Sequence, residues 1–163
     1  MAITLASNYK EVFPEDTVAR IEELKEDYEL NEILEVLDTF GTDWTLLQLQ
    51  DILNVEDKDS LYEFLQEYGN DSVEYYEKFV DLCEDYNEDA VRAYIEAVGI
   101  DCLYEFEEAY QGYFSTVRDF VEENLESHEV EIPSWLVLDY EATWISSLRH
   151  DYIEENGYYF RRI

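Results

Sequence analysis

Along almost its whole length this chain sets large apolar side chains and carboxylates on the same helical period. Between Ser72 and Tyr86, Val73, Tyr76, Val80 and Cys83 recur every three or four residues, and Phe79 and Leu82 widen the stripe. Glu74, Glu77, Asp81, Glu84 and Asp85 follow the same period on the other side. That spacing predicts an amphipathic helix, with Ser72 as its N-cap. Like charges three or four residues apart destabilise a helix by roughly 0.2–0.5 kcal/mol per pair. In one helix this is an ordinary solvated face. Repeated along the chain, it asks for a reason.

The charge is large but it is not a tail. Forty-two Asp and Glu face ten Lys and Arg, a net charge of −32. Eighteen acids fall in residues 1–70 and twenty-four in residues 71–163, with no contiguous acidic block. Self-repulsion of that size favours disorder. Against it stand 47% hydrophobic residues, 16% aromatics and only five glycines and two prolines, enough apolar surface for a real core. Ten scattered cations cannot build the basic face that nucleic-acid binding needs, and an anionic membrane would repel the chain. No apolar run spans a bilayer, and MAITLASNYKE lacks the basic and apolar regions of a signal peptide. A cytoplasmic location is expected, in a bacterial cell or in the host if the gene is phage-borne. Cys83 and Cys102 have no metal or redox spacing and read as buried thiols in a reducing compartment.

The same pattern predicts further helices. Residues 15–28 follow Pro14 and place Val18, Ile21, Leu24 and Tyr28 inside. Leu30 to Phe40 stops at Gly41, Thr45 to Leu53 is short, and Asp59 to Tyr68 stops at Gly69. Asn87 caps a helix that Gly99 ends, and Ser115 caps one with Val117, Phe120, Val121 and Leu125 inside. The last third differs. Tyr110 to Phe114 reads as a strand, residues 134–149 as a helix, and Asp151–Ile153 and Tyr158–Phe160 as a hairpin around Asn156-Gly157. The expected class is α+β and predominantly helical: an acidic helical region over 1–103, then a module over 104–163 with a small antiparallel sheet and helices.

Catalytic patterns are missing. His128 and His150 sit in no ligand or nucleophile arrangement, and there is no glycine-rich phosphate loop. Neither catalytic nor metal residues are expected, nor any cofactor. One decoy is sharper. Asp85, Asn87, Asp89 and Glu96 match positions 1, 3, 5 and 12 of a calcium-binding EF-hand loop, but Ala90 stands where the sharp turn needs Gly. The competing reading is that Asn87 caps a helix whose N-terminus favours nearby acids.

What remains is the field itself. Duplex DNA carries about one negative charge per 1.7 Å of axis, so a charge of this size matches roughly 54 Å of duplex, about 16 base pairs. Helical neighbours lie about 5–6 Å apart, near the spacing of phosphates along a strand. Carboxylates on rigid helices can therefore imitate a DNA backbone and fit the positive groove of a DNA-binding protein.

The C-terminal segment resembles the ArdA-type antirestriction proteins. The residues that carry the likeness are Tyr110-Gln111-Gly112-Tyr113, Ser115, Asp119-Phe120, Ile132-Pro133, Asp139-Tyr140-Glu141-Ala142 and Gly157-Tyr158-Tyr159-Phe160-Arg161. It covers about residues 104–163, with a weaker likeness from Leu30-Asn31-Glu32-Ile33 onward. The resemblance implies a small, acidic, dimeric DNA mimic, encoded by phages or mobile elements, that occupies the DNA groove of a type I restriction–modification enzyme. The family's sheet-containing first module is not seen in residues 1–29.

On this reading the carboxylates are phosphate surrogates. The candidates in the helical region are Glu63, Glu67, Glu74, Glu77, Asp81, Glu84 and Asp85. Glu105, Glu108, Asp119, Glu122, Glu123 and Glu126 continue the set, and Asp139, Glu141, Asp151, Glu154 and Glu155 complete it. The expected partner is the basic groove of a type I restriction–modification enzyme, met by a homodimer without direct nucleic-acid or membrane binding. Two alternatives stand beside it: inhibition of another DNA-binding protein, such as a CRISPR effector or nucleoid protein, and an acidic adaptor or chaperone for a basic partner.

Overall fold

The computed structural model describes residues 8–163; MAITLAS, the greater part of the stretch read above as lacking a signal peptide, lies outside them. The chain divides into two compact units, residues 1–76 and residues 77–163. The expected module beginning at residue 104 falls wholly within the second.

The first unit is helical throughout its described residues. A helical turn over 8–12 (α1) precedes α2 (Glu15–Leu24), α3 (Leu30–Phe40), α4 (Leu46–Asn54) and α5 (Lys58–Tyr68). The core is the inner stripe of these helices: Ile21 and Leu24, Ile33 to Leu37, Leu49 and Ile52, and Leu61, Phe64 and Leu65. Caps set the ends. Thr45 Oγ1 accepts the Gln48 amide at 3.3 Å while Gln48 returns a bond to the Thr45 amide at 3.0 Å, a reciprocal pair that satisfies two otherwise unpaired donors. Two expectations shift. α2 stops at Leu24 rather than residue 28, and Thr17 is buried where Val18 is only half-buried.

Ser72 is not an N-cap. Gly69 turns the chain into a 3₁₀ helix, Asn70–Tyr75, before α6 (Tyr76–Asp85) begins. The Ser72 hydroxyl is buried and donates back to the Tyr68 carbonyl at 2.8 Å, closing the end of α5 instead of opening α6.

The second unit continues from α6 through α7 (Glu88–Val98), a second 3₁₀ helix (Ile100–Glu105) and the single turn α8 (Phe106–Ala109). Then come β1 (Tyr110–Tyr113), α9 (Val117–Ser127), α10 (Tyr140–Ser146), β2 (Tyr152–Glu155) and β3 (Tyr158–Arg161). The three strands form one antiparallel sheet in the order β1-β3-β2, so the last strand in sequence is the central one. The predominantly helical α+β class with a small C-terminal sheet is what the sequence pattern predicts. Asn156 (φ 54°) and Gly157 (φ 84°) make the hairpin turn, as their tolerance of positive φ requires.

Alternation along β3 explains why Tyr158, Tyr159 and Phe160 are all buried. Phe160 packs against Tyr94 of α7, with ring centres 5.0 Å apart. Tyr159 points the other way and stacks on Phe120 of α9 at 4.0 Å, with Trp144 of α10 edge-on at 5.5 Å. Helices thus cover both faces of the sheet. α9 is capped by Thr116 rather than Ser115. The helix expected over 134–149 is much shorter. It begins only where Asp139 accepts the Ala142 amide at 3.0 Å, and residues 130–138 run without helix.

A repeat runs through the helical part. α3, α5 and α7 each have eleven residues and each ends on a glycine, Gly41, Gly69 and Gly99, with φ of 96°, 91° and 99°. Equivalent positions inside are Ile33, Leu61 and Val91, each fully buried. Two residues past each glycine stands an exposed aspartate: Asp43, Asp71 and Asp101.

Candidate partner-binding surface

All forty-two carboxylates lie within the described residues, and none is buried; only Glu122 and Glu155 are as much as half-buried. The inner stripes take the apolar half of each helical period, so the acids have nowhere to go but outward. Placing an unpaired carboxylate in the core would cost several kcal/mol.

The cations, by contrast, are largely occupied within the chain. Lys10 and Lys25 both meet Glu22, at 2.8 and 3.5 Å. Lys78 pairs with Glu107 at 2.6 Å, Arg92 with Glu88 at 2.7 Å and Arg118 with Glu122 at 2.9 Å. Two more serve the backbone. Arg20 donates to the carbonyls of Thr42 and Trp44, pinning the loop after Gly41. Lys58 donates to the Leu53 carbonyl at 3.3 Å and to that of Val55, where α4 leaves carbonyls unpaired. The surface is left with carboxylates far in excess of positive charge.

In the first unit Glu63 and Glu67 lie on α5 and Glu74 on the following 3₁₀ turn, all exposed. In the second, Glu77, Asp81, Glu84 and Asp85 line the outer side of α6, Glu105 immediately precedes α8 and Glu108 lies on it, all exposed. Asp119, Glu123 and Glu126 are exposed on α9, Glu141 on α10, and Asp151 just before β2.

Four candidates are placed as follows. Asp139 is the cap of α10. Glu154 accepts the Gly157 amide at 2.9 Å and closes the hairpin turn. Glu122 is held by Tyr140 and Arg118, which together keep its carboxyl below the usual range. Glu155 is partly shielded on β2. Their charge is real, but the first three already have intramolecular work.

Sequence reasoning began the candidate surface at residue 63 and so missed equally exposed acids earlier in the chain, among them Glu32, Glu35 and Asp38 on α3. It also missed the aspartate that follows each repeat glycine. The signal was present as three Gly-x-Asp triplets at a spacing of 28 and 30 residues, at Gly41, Gly69 and Gly99.

Among the described residues no group of three or more His, Cys, Asp or Glu is placed to hold a metal ion. The EF-hand look-alike is helix from Glu88 onward. Asn87 caps it by accepting the Asp89 amide at 2.8 Å, and Ala90 is fully buried. Cys83 and Cys102 are free and half-buried rather than fully buried, and burial pushes the Cys83 thiol up to about 11, so it is protonated at neutral pH. His128 is exposed with Nδ1 2.7 Å from the Asn124 carbonyl, at the end of α9. No described helix is long and apolar enough to cross a membrane.

Comparison with protein-family models, with curated proteins and with solved structures finds no match to this chain.

Proposed function

We propose that this protein is a DNA-mimicking inhibitor of a type I restriction–modification enzyme, acting by occupying the enzyme's DNA-binding groove. The observation that carries this reading is that a chain of net charge −32 buries none of its carboxylates and occupies most of its cations internally. The result, in each of the two units, is an anionic surface built on helices, which is what a phosphate-binding groove attracts. The carboxylates act as surrogate phosphates, neither as acids nor as bases, and the protein needs no cofactor. The C-terminal likeness to ArdA-type proteins supports the choice of target over a CRISPR effector or a nucleoid protein. Defined caps and packed aromatic rings within each unit favour a well-ordered mimic over a disordered adaptor.

The same likeness implies a homodimer, and this reading gives its seam to one exposed apolar stretch. Val130, Trp135, Leu136 and Val137 are exposed in one short non-helical segment, Trp135 at 80% and Val137 at 93%. A second copy of the chain is the occupant this reading assigns to them. Trp135→Ser should then convert the sedimenting species from dimer to monomer.

The test of function is competition. Purified protein is titrated into a type I restriction–modification enzyme bound to its labelled recognition duplex. Displacement of the duplex at near-stoichiometric protein supports the proposal. Undisturbed DNA binding and cleavage at a large excess of protein overturns it.

A further inference from the structure

At one concave place in the second unit the acidic surface is joined by a positioned aromatic ring. An open groove of about 470 Å³ is lined by Asp89, Arg92 and Glu96 of α7, Tyr113 at the end of β1, and Asn156 and Tyr158 of the hairpin. We propose that this groove is a binding site for an arginine side chain projecting from a basic protein partner.

Three observations converge on a guanidinium. The first is the ring. Tyr113 is 59% exposed, unlike the other tyrosines of the sheet, yet it is not loose. Its edge meets Tyr158 with centres 5.2 Å apart. On its other flank lies Gly157, where a Cβ would come within 2.6 Å of Tyr113 Cε2. The missing side chain at Gly157 is what lets the ring lie over the turn. A fixed, solvent-facing tyrosine is a surface for a planar cation.

The second is the charge. Asp89 and Glu96 stand two turns apart on α7 and put negative charge along the groove. They outnumber Arg92, the one cation of the lining, two to one. Arg92 is bound to Glu88 at 2.7 Å and lies over the Phe79 ring at 5.5 Å. The third is the polar edge. The Asn156 amide donates to Glu96 at 3.3 Å, which leaves its carbonyl for a further donor. Burial, the charge of Asp89 and the neighbouring Tyr113 all push the Tyr158 phenol up, so it stays neutral and keeps its proton.

A guanidinium satisfies all three features together. It is flat, weakly hydrated and carries donors around its rim, so it stacks on a ring while bonding carboxylates in its own plane. A lysine ammonium matches the charge and can approach the ring, but it has no flat face to stack on it while bonding sideways. The site adds to the reading of the protein as a mimic, because a phosphate offers charge without an aromatic face. It does not depend on that reading, since it is tested without any restriction enzyme.

The experiment is an NMR titration of the full chain with N-acetylarginine amide. N-acetyllysine amide and the neutral isostere N-acetylcitrulline amide are run in parallel. The expected result is saturable shifts confined to the Tyr113 and Tyr158 ring signals and the Asn156 and Gly157 amides. The arginine derivative should bind about threefold or more tighter than the lysine one, because only the guanidinium stacks flat on the ring while its donors bond in its plane, and citrulline should give no saturation. Tyr113→Leu, at an exposed position, should remove the preference for arginine while leaving the amide spectrum folded. Glu96→Gln should weaken both cations. Shifts that spread over the whole acidic surface without saturating overturn the proposal. So does an arginine preference that survives Tyr113→Leu, or equal binding of arginine and lysine by the unaltered chain.

Discussion

Single residues show how sparingly this chain uses its positive charge. Glu22 is the clearest case. Lys10 bonds to it, the Tyr9 hydroxyl donates to it, and Lys25 approaches at 3.5 Å. The Lys10 bond first and the Tyr9 bond second bring the Glu22 carboxyl down to about 2 from an ordinary 4.5. A depressed carboxylate stabilises the fold above its unfolded value and loses that contribution as pH falls through the folded one. Glu22→Gln should therefore lower the thermal midpoint at pH 7, and the gap from the unaltered protein should close between about pH 4.5 and pH 2. Thermal melts of both proteins across that range read it directly; a gap that widens on acidification contradicts the assignment. The sequence pattern makes Cys83 a buried thiol and Ser72 a cap. The first proved half-buried and the second a hydroxyl closing the preceding helix.

At the scale of elements, the repeated helix–glycine unit makes the sharpest demand on the sequence. Gly69 (φ 91°, ψ 161°) and Gly99 (φ 99°, ψ 158°) sit in a backbone region that only glycine occupies readily. No other atom comes within 4 Å of a Cβ built at either position. The two replacements by alanine should still cost about 1–3 kcal/mol each, from the backbone alone. Urea unfolding gives the number, and a loss below about 0.5 kcal/mol would show that the turn can relax. The helix faces carry the functional expectation. Glu77, Asp81 and Glu84 on α6 and Glu123 and Glu126 on α9 are exposed, each offering one contact of modest size. Any one changed to its amide should alter inhibition little, and all five together should weaken it by about 2.5 kcal/mol if each contributes roughly 0.5. Folding should hold or improve, because like charges are removed from helix faces. If one of these five amide changes alone abolishes inhibition in a folded protein, surface mimicry is the wrong mechanism.

For the molecule as a whole, salt should separate folding from binding. A net charge of −32 repels itself, so moderate salt should raise the thermal midpoint by screening. Inhibition of the target should move the other way, since the same screening weakens attraction to a basic groove. Melting and competition measured in parallel from low to moderate sodium chloride test both. A midpoint that falls over that range would mean that the acidic surface is already neutralised within the chain.

The sequence alone determined what lies within a few residues of itself. Helix stops at Gly41, Gly69 and Gly99, the Asn87 cap and the Asn156-Gly157 turn are legible because each depends on one residue's backbone freedom or on one hydrogen bond a few positions away. That the acids face outward is equally local, since the apolar stripe leaves them only the other side. The repeat was readable too, but its core positions change from Ile33 to Leu61 to Val91, and only the glycines and aspartates hold constant. Tertiary structure decided the rest. Tyr110 pairs with Phe160 across half the second unit, and no local rule says that the last strand takes the centre of the sheet. That pairing buries Tyr159 against Phe120 and brings Tyr113 to the hairpin turn. It is also what lines a single groove with Asp89, Glu96, Tyr113 and Asn156, because strand pairing and helix docking bring together residues that no spacing in the chain relates.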